Sequence, residues 1–310
     1  MPDVCTTLPL AIAYAVIGVG DMQEALDRRG VRIGMEVVVR RTGSDEQLAR
    51  AWGLPADAIA DQALLLTPGV PEGGVHLVRF TNPGPAVREG AAPTDLLPKS
   101  VDVAVRDIHA RHAELEAAGY RFRSPVGTLR TGDVVVYEVH MTGHDGINLV
   151  FVEQPAKPEP VSARGYGVAP QIVTISPDNA REARFLQRVL GLALVSHHRF
   201  GGPEVERTIG LPPGASLDVR ILGDEAREFG RIELVQYEGV ASENRYPRAR
   251  APARGQLSLT YFVDDLAPWL AKAGQCEATD LGQGAGIYGP GRIATVTTPA
   301  GLRIDLVERR

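Results

Sequence analysis

His76 and Glu233 stand 157 residues apart, at the same place in two copies of one phrase: Gly74-Val75-His76-Leu77-Val78 and Arg231-Ile232-Glu233-Leu234-Val235. Imidazole and carboxylate can each hold a metal or carry a proton. A copied position that switches between them is therefore a place to look for function. Tyr14 and Gln171 are separated by the same 157 residues, each within an apolar strand-like segment that runs on to an aspartate, Asp21 and Asp178. His197-His198-Arg199 follows Gly191 on a further strand, where successive side chains point to opposite faces. One of the two histidines should face inward and the other away. His109 and His112 lie opposite the apolar stripe of the segment Ile108 to Glu116 and read as solvated helix-surface residues. Cys5 and Cys276 cannot form a disulfide framework and have no metal-ligand spacing, so both are expected to be inert thiols of a reducing compartment.

The elements that position these residues are themselves repeated. Gly53-Leu54-Pro55 returns as Gly210-Leu211-Pro212, and Gly34 as Gly191, at the same offset and without a gap. Within each copy a second subdivision is visible. Val101 to Asp107 is followed by a helix-like stretch ending at Gly119, and Leu257 to Asp265 is followed by one ending at Gly274. Four units result, at about 10–82, 98–153, 169–239 and 256–310, each with one strand, one helix and then several strands. In the strand Asp133 to Met141, the side chains of Val134, Val136, Glu138 and His140 share one face. The stretch from Gln154 to Pro160 carries three prolines and marks a linker, placed at 154–168 between an N-terminal domain, 1–153, and a C-terminal domain, 169–310. Two looser crossovers, 82–98 and 239–255, join the units within each half.

Composition sets the class. The 310 residues are 44% hydrophobic and 23% charged, with a net charge of −5 and no basic stripe, which argues against nucleic acid as a partner. The apolar segment Leu8 to Gly20 has Asp3 before it, lacks a cleavage site and recurs in mid-chain. It reads as a strand rather than a signal peptide. No apolar run reaches membrane-spanning length, and a cytoplasmic protein is expected. The glycine-rich run Gly282 to Gly291 lacks Gly-Lys-Ser/Thr and a following helix, so it is a loop and not a phosphate cradle.

The four-unit pattern resembles the vicinal oxygen chelate superfamily, which includes glyoxalase I, extradiol dioxygenases, fosfomycin-resistance enzymes and bleomycin-binding proteins. The resemblance rests on Val103-Ala104-Val105-Arg106-Asp107-Ile108 with its helix Ala113 to Gly119. It rests also on the endings His144 to Val150 and Pro299 to Leu306. It implies an α+β fold in which four βαβββ modules pair into two open, cup-like mixed β-sheets. It further implies a divalent metal on a cup floor, held from the first and last strands of each module. On this chain those positions are Gln171, Glu233, Ser258 and Asp305 in the C-terminal half, and Tyr14, His76, Ser100 and Val150 in the N-terminal half. The resemblance implies glutamine, glutamate, histidine and glutamate for a glyoxalase-I-like set. Gln171 and Glu233 match, Asp305 is one methylene shorter, and Ser258 replaces the histidine. The C-terminal domain is accordingly expected to hold the metal (Mg, Mn, Ni, Zn or Fe), with Glu233 or Asp305 as the base, and the N-terminal domain to lack one.

Gln256, two residues before Ser258 on the same strand face, is a supplementary candidate, with His197, His198 and a mobile loop tyrosine, Tyr288, for substrate. Tyr14, His76 and His140 form an alternative, metal-free pocket in the N-terminal half. The implied function is a metal-dependent lyase or isomerase of glyoxalase-I type, acting on a small oxygen-rich or carbonyl compound through an enolate-like intermediate. The alternatives are an extradiol-type dioxygenase and a metal-free protein that binds a hydrophobic small molecule. The chain is expected as a monomer or homodimer.

Overall fold

In the computed structural model, residues 11–157, 161–167, 171–227, 229–274, 277–282 and 286–309 are described. Cys5 and Cys276, and parts of the linker and of the glycine-rich run, lie outside them.

All four units are built alike. The first contains β1 (Tyr14–Val19), α1 (Met22–Leu26), β2 (Glu36–Thr42), α2 (Glu46–Ala51), β3 (Ile59–Leu66) and β4 (Gly74–Phe80). The second contains β5 (Pro98–Ala104), α3 (Ile108–Ala117), β6 (Gly127–Thr131), β7 (Val134–Thr142) and β8 (Asn148–Glu153). The third contains β9 (Gln171–Ile175), α4 (Asn179–Leu190), β10 (Ala193–Gly201), α5 (Pro203–Ile209), β11 (Ser216–Gly223) and β12 (Arg231–Glu238). The fourth contains β13 (Gly255–Val263), α6 (Ala267–Ala273), β14 (Thr279–Gly282), β15 (Gly291–Thr297) and β16 (Arg303–Arg309).

The first helix of each of the first three units starts where the sequence supplies an acceptor. Asp21, Asp107 and Asp178 accept from the backbone N–H three residues on, which satisfies one orphan donor of α1, α3 and α4. The last strand of the unit adds a second tie. Glu153 of β8 accepts from the N–H groups of Asp107 and Ile108, Gln236 of β12 from that of Asn179, and Glu308 of β16 from that of Leu266. In the last three units the acidic or amide residue near the close thus locks the helix start against the sheet.

In every unit the first and last strands run parallel side by side, and the units meet along their first strands. β1 pairs antiparallel with β13, and β5 with β9. One sheet has the order β14-β15-β16-β13-β1-β4-β3-β2 and the other β10-β11-β12-β9-β5-β8-β7-β6. The cups therefore do not follow the halves of the sequence: the first unit closes with the fourth, and the second with the third. A repeat reveals the units but not the partner of each free first-strand edge. The crossovers provide the reason. They lie side by side, bridged at Ala86–Arg254 and Leu96–Asn244, and Asp95 accepts from the N–H groups of Ala92 and Glu243 and from Arg245 Nε at 2.6 Å. Strapped together, they carry both halves of the chain from one cup to the other.

One apolar core, drawing on all four units, joins the helices to the sheets through residues such as Ile17, Leu77, Leu149, Leu186, Leu234 and Ile304. The β1/β13 cup is filled by a second core that includes Tyr14, Val16, Val78, Leu257 and Tyr288. The β5/β9 cup has only a smaller cluster around Val173, Leu217 and Val235. Among the described residues, no helix is long and apolar enough to cross a membrane.

Close approach of β1 to the second crossover depends on Gly18, where an added Cβ would overlap the Ala253 carbonyl oxygen. Gly18→Ala should therefore destabilise the protein by about 1–3 kcal/mol, measured by denaturant titration. Unchanged stability would show that the crossover can yield.

Candidate active site

The β5/β9 cup encloses a cavity of about 270 Å³, a space for a small molecule. Alternation along its strands explains most of the lining. Ser100, Asp102 and Ala104 project from β5, Gln171 and Val173 from β9, and Glu233 and Val235 from β12. Glu138 and His140 follow from β7, and Val150 from β8. The β5–β9 register shifts between Pro98 and Ser100, and this bulge brings Lys99 to the same cavity as Ser100. The walls above are aliphatic (Leu129, Val136, Leu217, Val219), so a polar floor sits at the bottom of an apolar vessel.

The floor holds three carboxylates and one amine. Burial, and then the charge of Glu138, push Glu233 up to about 7 against the pull of Lys99. Glu233 has no hydrogen-bond partner among the described residues. Burial raises Asp102 well above the usual carboxylate range, and the charges of Glu233 and Glu138 add to this; Ser100 donates to it at 3.3 Å. Burial acts the same way on Glu138, but His140 Nε2–H donates to it at 2.6 Å and holds it below its ordinary value. The other ring nitrogen of His140 accepts from the Asn148 amide at 3.1 Å, which fits a neutral imidazole. Burial lowers Lys99 to about 8, with Arg123 and Arg88 assisting and Glu138 and Glu233 opposing. Its Nζ donates to the Tyr237 hydroxyl.

A pH effect on stability follows. Because Glu233 titrates higher in the folded protein than its ordinary 4.5, the native state binds more protons than the unfolded chain between that value and about 7. Its contribution should be most favourable below pH 4.5 and be lost as pH rises to about 7, with Lys99, Asp102, Glu138 and His140 as the titratable neighbours. Denaturant midpoints of the wild type and Glu233→Gln across that range should differ in slope; parallel curves would contradict the assignment.

The other cup is packed shut. Burial lowers His76 to about 3; its Nδ1 accepts from the Tyr288 hydroxyl at 2.7 Å and its Nε2–H donates to Gln62 at 3.0 Å. Asp305 is fully buried and accepts from Ser258 at 2.8 Å, Thr295 at 2.6 Å and Trp52 at 3.3 Å. Tyr14 lies stacked against Tyr288 at 6.5 Å between ring centroids.

The residues expected to act together are thus divided. Gln171 and Glu233 line the cavity, whereas Ser258 and Asp305 sit in the filled cup, so the C-terminal set does not converge on one ion. Asp305 is saturated with donors, which fits a structural part rather than a base. The alternative set divides too, with Tyr14 and His76 in the filled cup and His140 in the cavity. Tyr288 is not a mobile tyrosine over a cup mouth; it is buried and also bonded to Thr260 at 3.0 Å. Gln256 is buried on β13, away from the cavity. His198 lines the cavity, while His197 is turned to Asp218 at 2.7 Å. Lys99, Asp102 and Glu138 escaped the sequence reading. Asp102 lies two residues beyond Ser100 on the same face, and Glu138 shares a strand face with His140. Lys99 is one of only three lysines among 33 basic residues.

No family model matches the chain, and no curated protein sequence does. Solved structures do. Glyoxalase I from Zea mays superposes with a TM-score of 0.64 at 17% identity, covering 96% of this chain and 92% of that one. A point mutant of the same Zea mays enzyme gives 0.65 at 17% identity, covering the same shares. A provisionally assigned dioxygenase from Bacillus subtilis gives 0.63 at 12% identity, covering 97% of this chain and 85% of the other. The chain has the vicinal oxygen chelate fold. At these identities the likeness speaks for the fold alone.

In the open cup, the four first- and last-strand positions are Ser100, Val150, Gln171 and Glu233. Val150 offers no donor, and among the described residues no group of three or more His, Cys, Asp or Glu is placed to hold a metal ion. The residues present do not fit a divalent ion at those positions.

Proposed function

We propose that the β5/β9 cup is the active site of a lyase or isomerase that acts on a small carbonyl compound by moving a proton next to the carbonyl group. The reading rests on Glu233, a carboxyl on the cavity floor with no hydrogen-bond partner among the described residues, which desolvation pushes up to about 7. Such a group is divided between acid and base at neutral pH, and can both take a proton from carbon and return one. Asp102, whose acid form is favoured by burial and by the neighbouring carboxylates, supplies a hydrogen bond to the oxygen on which charge develops. The aliphatic walls exclude water around the reacting carbon and strengthen these interactions.

The test is deuterium exchange into the carbon-bound hydrogens of hydroxyacetone, a neutral carbonyl compound small enough for the cavity, followed by proton NMR at pD near 7. Protein-dependent exchange supports the reading. Exchange no faster than with an equal concentration of free carboxylate and amine buffer overturns it.

A further inference from the structure

The bulge that turns Lys99 into the cavity also singles out its chemistry. Of 33 basic residues only Lys99, Lys157 and Lys272 are lysines. Thirty positions carry arginine, whose guanidinium keeps its proton and cannot serve as a nucleophile. Arg231 and the exposed Lys157 also reach the cavity lining, but the buried cation among the lining residues is a lysine, Lys99. Lys99 is 5% exposed, and its Nζ donates to the Tyr237 hydroxyl and lies over that ring. Asp102, Glu138 and Glu233 act on it electrostatically, and of these Asp102 and Glu233 are raised toward proton exchange.

We propose that Lys99 is a covalent catalytic residue that forms a Schiff base with the carbonyl carbon of the substrate. This rests on the reading of the cavity as a carbonyl-compound site, and adds the group that activates the carbonyl. In the step, the free amine of Lys99 attacks the carbonyl carbon; a C–N bond forms, and the π pair of C=O moves to oxygen, which takes a proton from Asp102. The nitrogen then gives a proton to the Glu233 carboxylate. The hydroxyl, reprotonated by Glu233, leaves as water while the nitrogen lone pair forms C=N. The sum is amine, carbonyl and one proton giving iminium and water, with no change of oxidation state. The iminium acidifies the neighbouring C–H, and the Glu233 carboxylate takes that proton.

A lysine lowered to about 8 is about one-quarter free base at pH 7.5, whereas an ordinary one is about one part in a thousand, so selectivity on the order of a hundredfold is expected. The probe is hydroxyacetone with sodium cyanoborohydride at pH 7.5, followed by peptide mapping. The expected result is an increment equal to hydroxyacetone less one oxygen, on Lys99 far ahead of Lys157 and Lys272. Lys99→Arg keeps the charge and should lose both this adduct and deuterium exchange. Equal labelling of the three lysines, or exchange that persists in Lys99→Arg, overturns the covalent role. Wild-type exchange with no adduct on Lys99 removes the lysine chemistry and leaves the proposed function standing. Absence of both adduct and exchange removes both.

Discussion

Replacing Glu233 by glutamine should slow deuterium exchange into hydroxyacetone by about 10²- to 10⁴-fold, the usual contribution of a positioned acid–base group. The substitution keeps the shape of the side chain and removes only its ability to hold and release a proton. It orphans no partner, because Glu233 is not hydrogen-bonded within the described residues, so the fold should be retained and near-ultraviolet circular dichroism should be unchanged. It also removes the neighbouring charge that acts most strongly on Asp102. Asp102 should then titrate closer to an ordinary carboxylate, and any residual exchange should change its pH dependence. Asp305→Asn, made in the filled cup, is the control and should leave the exchange rate per folded molecule close to wild type. A Glu233→Gln protein with more than about a tenth of wild-type exchange would move the base elsewhere in the cavity.

Asp95→Ala should cost about 3–5 kcal/mol, the range for breaking a buried ion pair by removing one partner. Asp95 is 4% exposed and ties two segments that are distant in sequence, through the Glu243 N–H at 2.9 Å and Arg245 Nε at 2.6 Å. Its loss leaves the Ala92 and Glu243 N–H groups short of an acceptor, while Arg245 keeps only Glu243 at 2.7 Å. Burial alone would raise the carboxyl, but the two N–H donors and the Arg245 guanidinium hold it below its ordinary range. The stabilisation from this group is therefore present above the unfolded carboxylate value and is lost as pH falls through the folded one. Denaturant midpoints at pH 7 and near pH 3 should bring the variant and wild type closer together at the acid end. A loss under about 1 kcal/mol at pH 7 would show that the crossovers are held by their backbone bridges alone.

The repeat made the architecture legible. Four strand–helix–strands units follow from recurring Asp caps, glycine stops and apolar strand cores, because each is a local instruction. The pairing of units was not legible, since all four first strands present equivalent edges, and the crossovers that join the units meet only through contacts distant in sequence, such as Asp95 with Arg245 across 150 residues. The site suffered from the same gap. Gln171 and Glu233 were found because they occupy repeated positions, yet they were grouped with Ser258 and Asp305, which belong to the other cup. Lys99 was hidden for a different reason: period-two alternation puts it on the opposite face from Ser100, and only the bulge brings it round. His76 looked chemical by type, but Gln62 and Tyr288 use both of its ring nitrogens.

The nested pairing also orders the assembly of the molecule in time. Val101 meets Ile172 across a short stretch of chain, whereas Tyr14 must wait for Thr260. During synthesis the inner vessel, with its carboxylates and amine, has all its strands once residue 238 has emerged. The outer one cannot close until the final unit arrives, and until then the first unit waits with its β1 edge bare. High contact order of this kind slows closure and leaves that edge open to wrong partners. The open cavity is thus built from the quickly formed centre of the chain, while the slowly joined ends supply the filled cup beside it.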